Sequence, residues 1–98
     1  MTWRVIFSDG AESDVLDAVA SYDKQRAGLG DAMLAAVDDA VARIAESPYS
    51  FKRVYDELRR ARVGRLPYAI FIRLRRDIVE VVAIMHTSRD PRRWQAHG

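Results

Sequence analysis

The sequence predicts an α+β domain: an N-terminal strand, an antiparallel helical hairpin, then a three-stranded antiparallel meander, with both helices on one face of the sheet. Three observations carry this. Apolar residues recur at helical spacing between positions 10 and 46, they alternate with period two between 58 and 86, and Gly or Pro punctuates the joints. With 98 residues, the chain is read as one domain. A chain of that size buries roughly 60 to 65% of its unfolded surface, enough for a single two-layer core.

Taken in order, Trp3, Val5 and Phe7 alternate with Arg4 and Ile6, which predicts a short strand with one strongly buried face. Ser8-Asp9-Gly10 breaks it. Asp9 followed by Glu12 has the spacing of a capping box, so a helix is expected to start near Gly10. Val15, Ala18, Val19 and Tyr22 form its apolar stripe, widened by Leu16, and Gly28-Leu29-Gly30 ends it, because Gly tolerates the left-handed cap conformation. A second helix is expected from Asp31 to Glu46, with Met33, Leu34, Val37, Ala40, Val41 and Ile44 on one face. That stripe is read as core rather than as a groove for a partner helix. Ser47-Pro48 stops the helix.

Residues 49–56 read as an irregular linker, and 58–63 as a strand with Ala61 and Val63 on one face and Arg60 and Arg62 on the other. Pro67 belongs at the beginning of the next strand. A two-residue turn at Arg76-Asp77 then joins two alternating runs into a hairpin. That turn places Leu74 opposite Val79, Ile72 opposite Val81, Ile70 opposite Ala83 and Tyr68 opposite Met85 on an apolar face. The other face pairs Arg73 with Glu80, Phe71 with Val82 and Ala69 with Ile84, and carries His86 at its edge. The uncovered face is therefore expected to bear Arg60, Arg62, Arg73, Phe71 and His86.

Net charge is +2, but it is unevenly divided: residues 1–50 hold four basic against nine acidic side chains, and residues 51–98 hold twelve against five. Fourteen of the sixteen basic residues are Arg, whose planar fork suits phosphate and carboxylate. The second half therefore favours an anionic partner, either nucleic acid or an acidic protein segment. No apolar run approaches the roughly 18 to 20 residues that span a bilayer. There is no cysteine, which excludes disulfides and thiolate metal sites. The first residues lack the pattern of a secretory signal, so the cytoplasm is the expected compartment.

Few chemistries fit these residues. There is no glycine-rich phosphate loop and no nucleophile elbow, and no His, Asp or Glu cluster has metal-ligand spacing, so neither metal nor cofactor is expected. His86 can serve as acid or base, and Arg60, Arg62, Arg65 and Arg73 can hold phosphate. A small Arg-rich nucleic-acid-binding module is a further reading, although Phe71 is the one aromatic on that face, where a single-strand binder stacks several bases.

Gly28-Leu29-Gly30, Ser47-Pro48, Leu66-Pro67-Tyr68-Ala69-Ile70 and the tail His86-x-x-Arg89-Asp90-Pro91-x-x-Trp94 together resemble the RelE/ParE superfamily of toxins from bacterial type II toxin-antitoxin pairs. The resemblance spans nearly the whole chain, and the tail is more similar to ParE than to RelE. It implies a cognate antitoxin as partner, in a hetero-oligomer, and one of two routes to toxicity. ParE-like members are associated with poisoning DNA gyrase by binding it, which makes Arg89, Arg92, Arg93 and Trp94 contact candidates, since Trp and Arg most often anchor interfaces. RelE-like members cut messenger RNA, usually on the ribosome, which would enlist His86 with Arg60, Arg62, Arg65 and Arg73. Pairing of Arg73 with Glu80 leaves His86 without an evident free carboxylate, and no Tyr follows it, so the binding route is favoured. The antitoxin is expected to lay an acidic, partly disordered segment over the face bearing Phe71, Arg73 and Arg75.

Overall fold

The computed structural model describes residues 2–89. Strand β1 (Arg4–Phe7) is followed by helices α1 (Asp9–Gln25) and α2 (Leu29–Glu46), a 3-10 turn at Pro48–Ser50, and strands β2 (Arg53–Tyr55), β3 (Leu58–Arg62), β4 (Tyr68–Arg75) and β5 (Ile78–His86). A second 3-10 turn covers Thr87–Arg89. The five strands form one sheet in the order β1-β5-β4-β3-β2, antiparallel except where β1 runs parallel to β5. The predicted meander is β3-β4-β5. The additional strand, β2, lies in the stretch read as linker; it is only three residues long and carries no alternation strong enough to betray it.

The helices cover one face of the sheet. Met33, Val37, Ala40 and Ile44 of α2 and Ala11 and Ala18 of α1 are buried against Ala61, Ile70, Ile72, Val79, Val81 and Ile84. Leu34 and Leu16 do not join them: Leu16 is 70% exposed. The α1 stripe is therefore narrower than expected, and the small Ala11 and Ala18 let the helix approach the sheet closely.

Caps fix the helix ends. The N-cap of α1 is Ser8 rather than Asp9, and its Oγ accepts from the Ala11 N–H at 3.0 Å. Gly28, with φ of 92°, is the N-cap of α2, so the left-handed glycine opens the second helix instead of closing the first. The connection is tight because the Asp23 carboxylate accepts from the Gly30 N–H at 2.8 Å. A Cβ on Gly30 would stand 2.6 Å from that carboxylate. At the other end of the domain, the Trp3 N–H donates to the Ala45 carbonyl at 2.7 Å, and the Ser8 N–H donates to the Val81 carbonyl at 3.0 Å. These two bonds bracket β1. The Trp3 ring packs edge-on against Tyr49, 5.7 Å between centroids, and Arg59 lies over the Tyr49 ring while donating to the Phe51 carbonyl at 2.7 Å.

The β4–β5 register corrects the sequence reading in its second half. Leu74–Val79, Arg73–Glu80 and Ile72–Val81 pair as expected around the Arg76-Asp77 turn, where Arg76 takes a positive φ of 50°. A bulge then inserts Val82, so Phe71 faces Ala83, Ile70 faces Ile84, Ala69 faces Met85 and Tyr68 faces His86. Beyond Val81 every residue of β5 before His86 is apolar, so no polar alternation pins the register there. The extra residue turns Ile84 into the core and carries His86 to the helix-covered side.

Two side chains of α1 hold the bulge. Ser8 Oγ donates to the Val82 carbonyl at 3.1 Å, and Asp14 Oδ2 accepts from the Ile84 N–H at 2.9 Å. Ser8→Ala removes a helix cap and the donor to the bulge together, and is expected to lower stability by about 1 to 2 kcal/mol, measured as a drop in urea midpoint at unchanged slope. Asp14→Asn keeps an acceptor for the Ile84 amide and is expected to leave the midpoint nearly unchanged. An equal loss in both variants would contradict this assignment.

Candidate functional site

The five residues named for catalysis do not form one site. Arg60 and Arg62 pair in register with Phe71 and Ala69, on the face turned away from the helices, as does Arg73. Arg65 sits exposed in the turn before Leu66. His86 is on the other side, its ring 5.3 Å from that of Tyr68, which in turn lies 5.9 Å from Tyr22 of α1. The expectation that His86 shares the uncovered face with the arginines is thus corrected by the bulge, and the sheet stands between them.

On the open face, Arg73 donates through Nε and Nη2 to Glu80 Oε1 at 3.2 and 2.8 Å, and Arg75 Nε approaches the same oxygen at 3.4 Å. The expected cross-strand pair is present, and it is shared with a second arginine. A shallow cleft of about 590 Å³ runs beside it, lined by Arg53, Tyr55, Asp56, Glu57, Leu58, Arg73 and Val82. Phe71 is 1% exposed, so it is packing beneath this face and not a surface contact. Arg53 and Tyr55 are the residues that the sequence reading missed here; assigning 49–56 to a linker hid them. Of the tail candidates, Arg89 closes the described residues, and Arg92, Arg93 and Trp94 lie outside them.

His86 lines a second cleft, of about 520 Å³, between α1 and the ends of β4 and β5. Asp14, Asp17 and Ser21 form its helical wall, and Tyr68, His86 and Ser88 its other side. Burial, and secondarily the neighbouring Tyr68, raise the Tyr22 phenol above its ordinary pKa of 10.0, so it stays neutral behind the cleft. Two contacts orient the imidazole. Ser88 Oγ lies 2.9 Å from Nδ1, and the Ser88 backbone N–H points to the same nitrogen at 3.2 Å. A backbone N–H can only donate, so Nδ1 is the acceptor and the proton of the neutral ring sits on Nε2.

This arrangement is poorly matched to cutting RNA. A neutral His86 in this tautomer has its basic lone pair engaged by Ser88 and offers Nε2–H only as a donor. Among the described residues no arginine or lysine lines the cleft, while Asp14 and Asp17 would repel a phosphate. The carboxylates beside His86 come from α1, and not from the strand face on which alternation in the sequence places it. Among the described residues no group of three or more His, Cys, Asp or Glu side chains is placed to hold a metal ion, and no helix is long and apolar enough to cross a membrane.

Two helices on one face of a mixed sheet, with a basic strand-borne surface opposite, define the two-layer domain of the RelE/ParE superfamily. The family model for the ParE toxin of the type II toxin-antitoxin system parDE matches residues 5–91, and the chain belongs to that family. Among solved structures, a chain of the chromosomal ParDE toxin-antitoxin system from P. aeruginosa is similar in fold, with a TM-score of 0.59 at 18% identity, over 87% of this chain and 96% of that one. No curated protein matches the chain.

The imidazole assignment can be read directly. Long-range ¹H–¹⁵N correlation spectra of His86 at alkaline pH are expected to show protonated Nε2 and bare Nδ1. The opposite pattern would remove the argument against a basic role.

Proposed function

We propose that this toxin inhibits growth by binding and poisoning DNA gyrase, and that its cognate antitoxin neutralises it. Membership of the ParE toxin family supports the toxin role. The observation that carries the choice of a binding mode is the separation of His86, in an acidic cleft, from Arg60, Arg62 and Arg73 on the far side of the sheet. A ribonuclease needs acid, base and phosphate-holding cations around one scissile bond. Here they are split between two surfaces.

In this reading Arg89, Arg92, Arg93 and Trp94 contact the target. The antitoxin lays its acidic segment along the open face, where Arg73 and Arg75 supply charge and the buried Phe71 stiffens the strand beneath them. Glu80 already pairs with both arginines, so an acidic partner adds to this cluster instead of meeting bare cations. The toxin and antitoxin meet in the cytoplasm.

Induction of the chain in bacteria, followed by both DNA-damage signalling and mapping of messenger 5′ ends, separates the two modes. A gyrase poison gives broken DNA with intact messages, and His86→Ala retains most of the toxicity. New codon-phased 5′ ends that vanish in His86→Ala would overturn the proposal. For the antitoxin, Arg75→Glu is expected to slow association roughly tenfold at low salt and to flatten its salt dependence, as reversal of an exposed interface charge does. Unchanged association kinetics would move the antitoxin to another surface.

A further inference from the structure

The turn that closes β5 is tied back by acceptors of different character. The Thr87 N–H donates to the Pro67 carbonyl at 2.9 Å, and the Ser88 N–H donates to His86 Nδ1 at 3.2 Å. A carbonyl accepts at every pH. An imidazole nitrogen accepts only while it carries no proton. The Ser88 hydroxyl, 2.9 Å from the same nitrogen, is indifferent, because Oγ donates to a bare Nδ1 and accepts from a protonated one. Of these contacts, the one made by the Ser88 amide is therefore the one that a proton removes.

The surroundings of the ring supply the opposing pull. Among the described side chains, the titratable groups on its side of the sheet are Tyr68 of β4, edge-on at 5.3 Å, Tyr22 of α1 behind it, and Asp14 and Asp17 of α1, which line the same cleft. On protonation the ring gains a charge that these carboxylates attract and loses the acceptor that the Ser88 amide uses. Two N–H donors cannot face each other at 3.2 Å, so ring and amide part, by rotation of the imidazole or by movement of the turn. The bond lies at the surface, and the released amide turns to water at little cost. Such a contact is suited to switching and not to holding the fold. The bond from Thr87 to Pro67 is untouched by the proton, which places the hinge between Thr87 and Ser88.

We propose that His86 is a proton-sensitive latch on the Thr87–Arg89 turn: the neutral ring holds the Ser88 amide through Nδ1, and the protonated ring releases Ser88 and Arg89 from the turn conformation. The latch is closed above the titration of the ring and opens as pH falls through it. Arg89 is the first of the residues proposed above to meet the target, so the latch acts at the base of that segment. It rests on the geometry of the turn and holds whichever target the toxin has.

The test follows the full 98-residue chain by NMR, between about pH 8 and about pH 5, the span over which imidazole side chains generally titrate. Ring ¹⁵N shifts report the protonation of His86, amide exchange corrected for its intrinsic pH dependence reports the bond at Ser88, and three-bond HN–Hα couplings report the turn. A new charge beside the turn moves chemical shifts by itself but leaves the couplings alone. Ser88 is expected to lose protection by about fivefold, the scale of one net hydrogen bond, in step with the ring. The couplings of Ser88 and Arg89 move toward averaged values at the same time, and the Thr87 amide is unchanged. His86→Asn puts an amide oxygen near the place of Nδ1, an acceptor at every pH, and is expected to abolish the response. Protection and couplings that stay constant while the ring titrates would overturn the proposal. So would release of the Thr87 amide together with Ser88, or an undiminished response in His86→Asn, which retains Asp14, Asp17 and both tyrosines.

Discussion

Ser8 and Asp14 reach from α1 across the end of β1 to the backbone of β5, and most of what distinguishes this domain depends on that reach. The bonds at 3.1 and 2.9 Å satisfy a carbonyl and an amide that lie past the end of the neighbouring strand β1. A bulge without such partners would leave buried polar groups unpaired, at a cost of about 1 to 3 kcal/mol each. Because the partners come from one helix turn and a half, they also set where α1 lies along the sheet. Helix position and strand register are therefore a single choice. Everything at the far end of β5, including the facing of His86, follows from it.

That choice was only partly legible beforehand. The elements that sequence reveals best were those with a polar and an apolar side: α2, with Met33, Val37, Ala40 and Ile44 on one stripe, and the turn end of the hairpin, where Arg73 and Glu80 mark one face. From Val81 to Met85 and from Ala69 to Ile72 both faces are apolar, and a slip of one residue alters no visible pattern. The site reading failed for this reason. Alternation puts His86 among the arginines only if it is counted through a region where the count carries no information. The spacing of Asp14 and Asp17 puts them outside the apolar stripe of α1; only the three-dimensional approach of α1 to β5 makes them one wall of a cleft. The strand β2 was missed because three residues cannot display a period.

The resulting molecule separates its charges by layer. The helices carry most of the acids, and the sheet's outer face carries Arg60, Arg62, Arg73 and Arg75. In a family of toxins from type II toxin-antitoxin systems, such a separation gives the domain two surfaces of opposite charge. It also explains why chemistry is hard to assemble here. Imidazole and guanidinium groups are both present, yet the five-stranded sheet keeps His86 and its neighbouring acids of α1 apart from Arg60, Arg62 and Arg73.

The treatment of β1 has a consequence for how copies of the chain behave together. A four-residue border strand whose chain leaves toward a helix is the kind of element that two molecules can trade, each lending its strand to the other's sheet. Here β1 is fastened before its first residue, through Trp3 to Ala45 and Tyr49, and after its last, through Ser8 to Val81 and Val82. Release would mean breaking contacts with α2, the 3-10 turn and β5 at once. The border strand is thus held at both ends by the flanks of its own chain, which opposes its exchange with another copy.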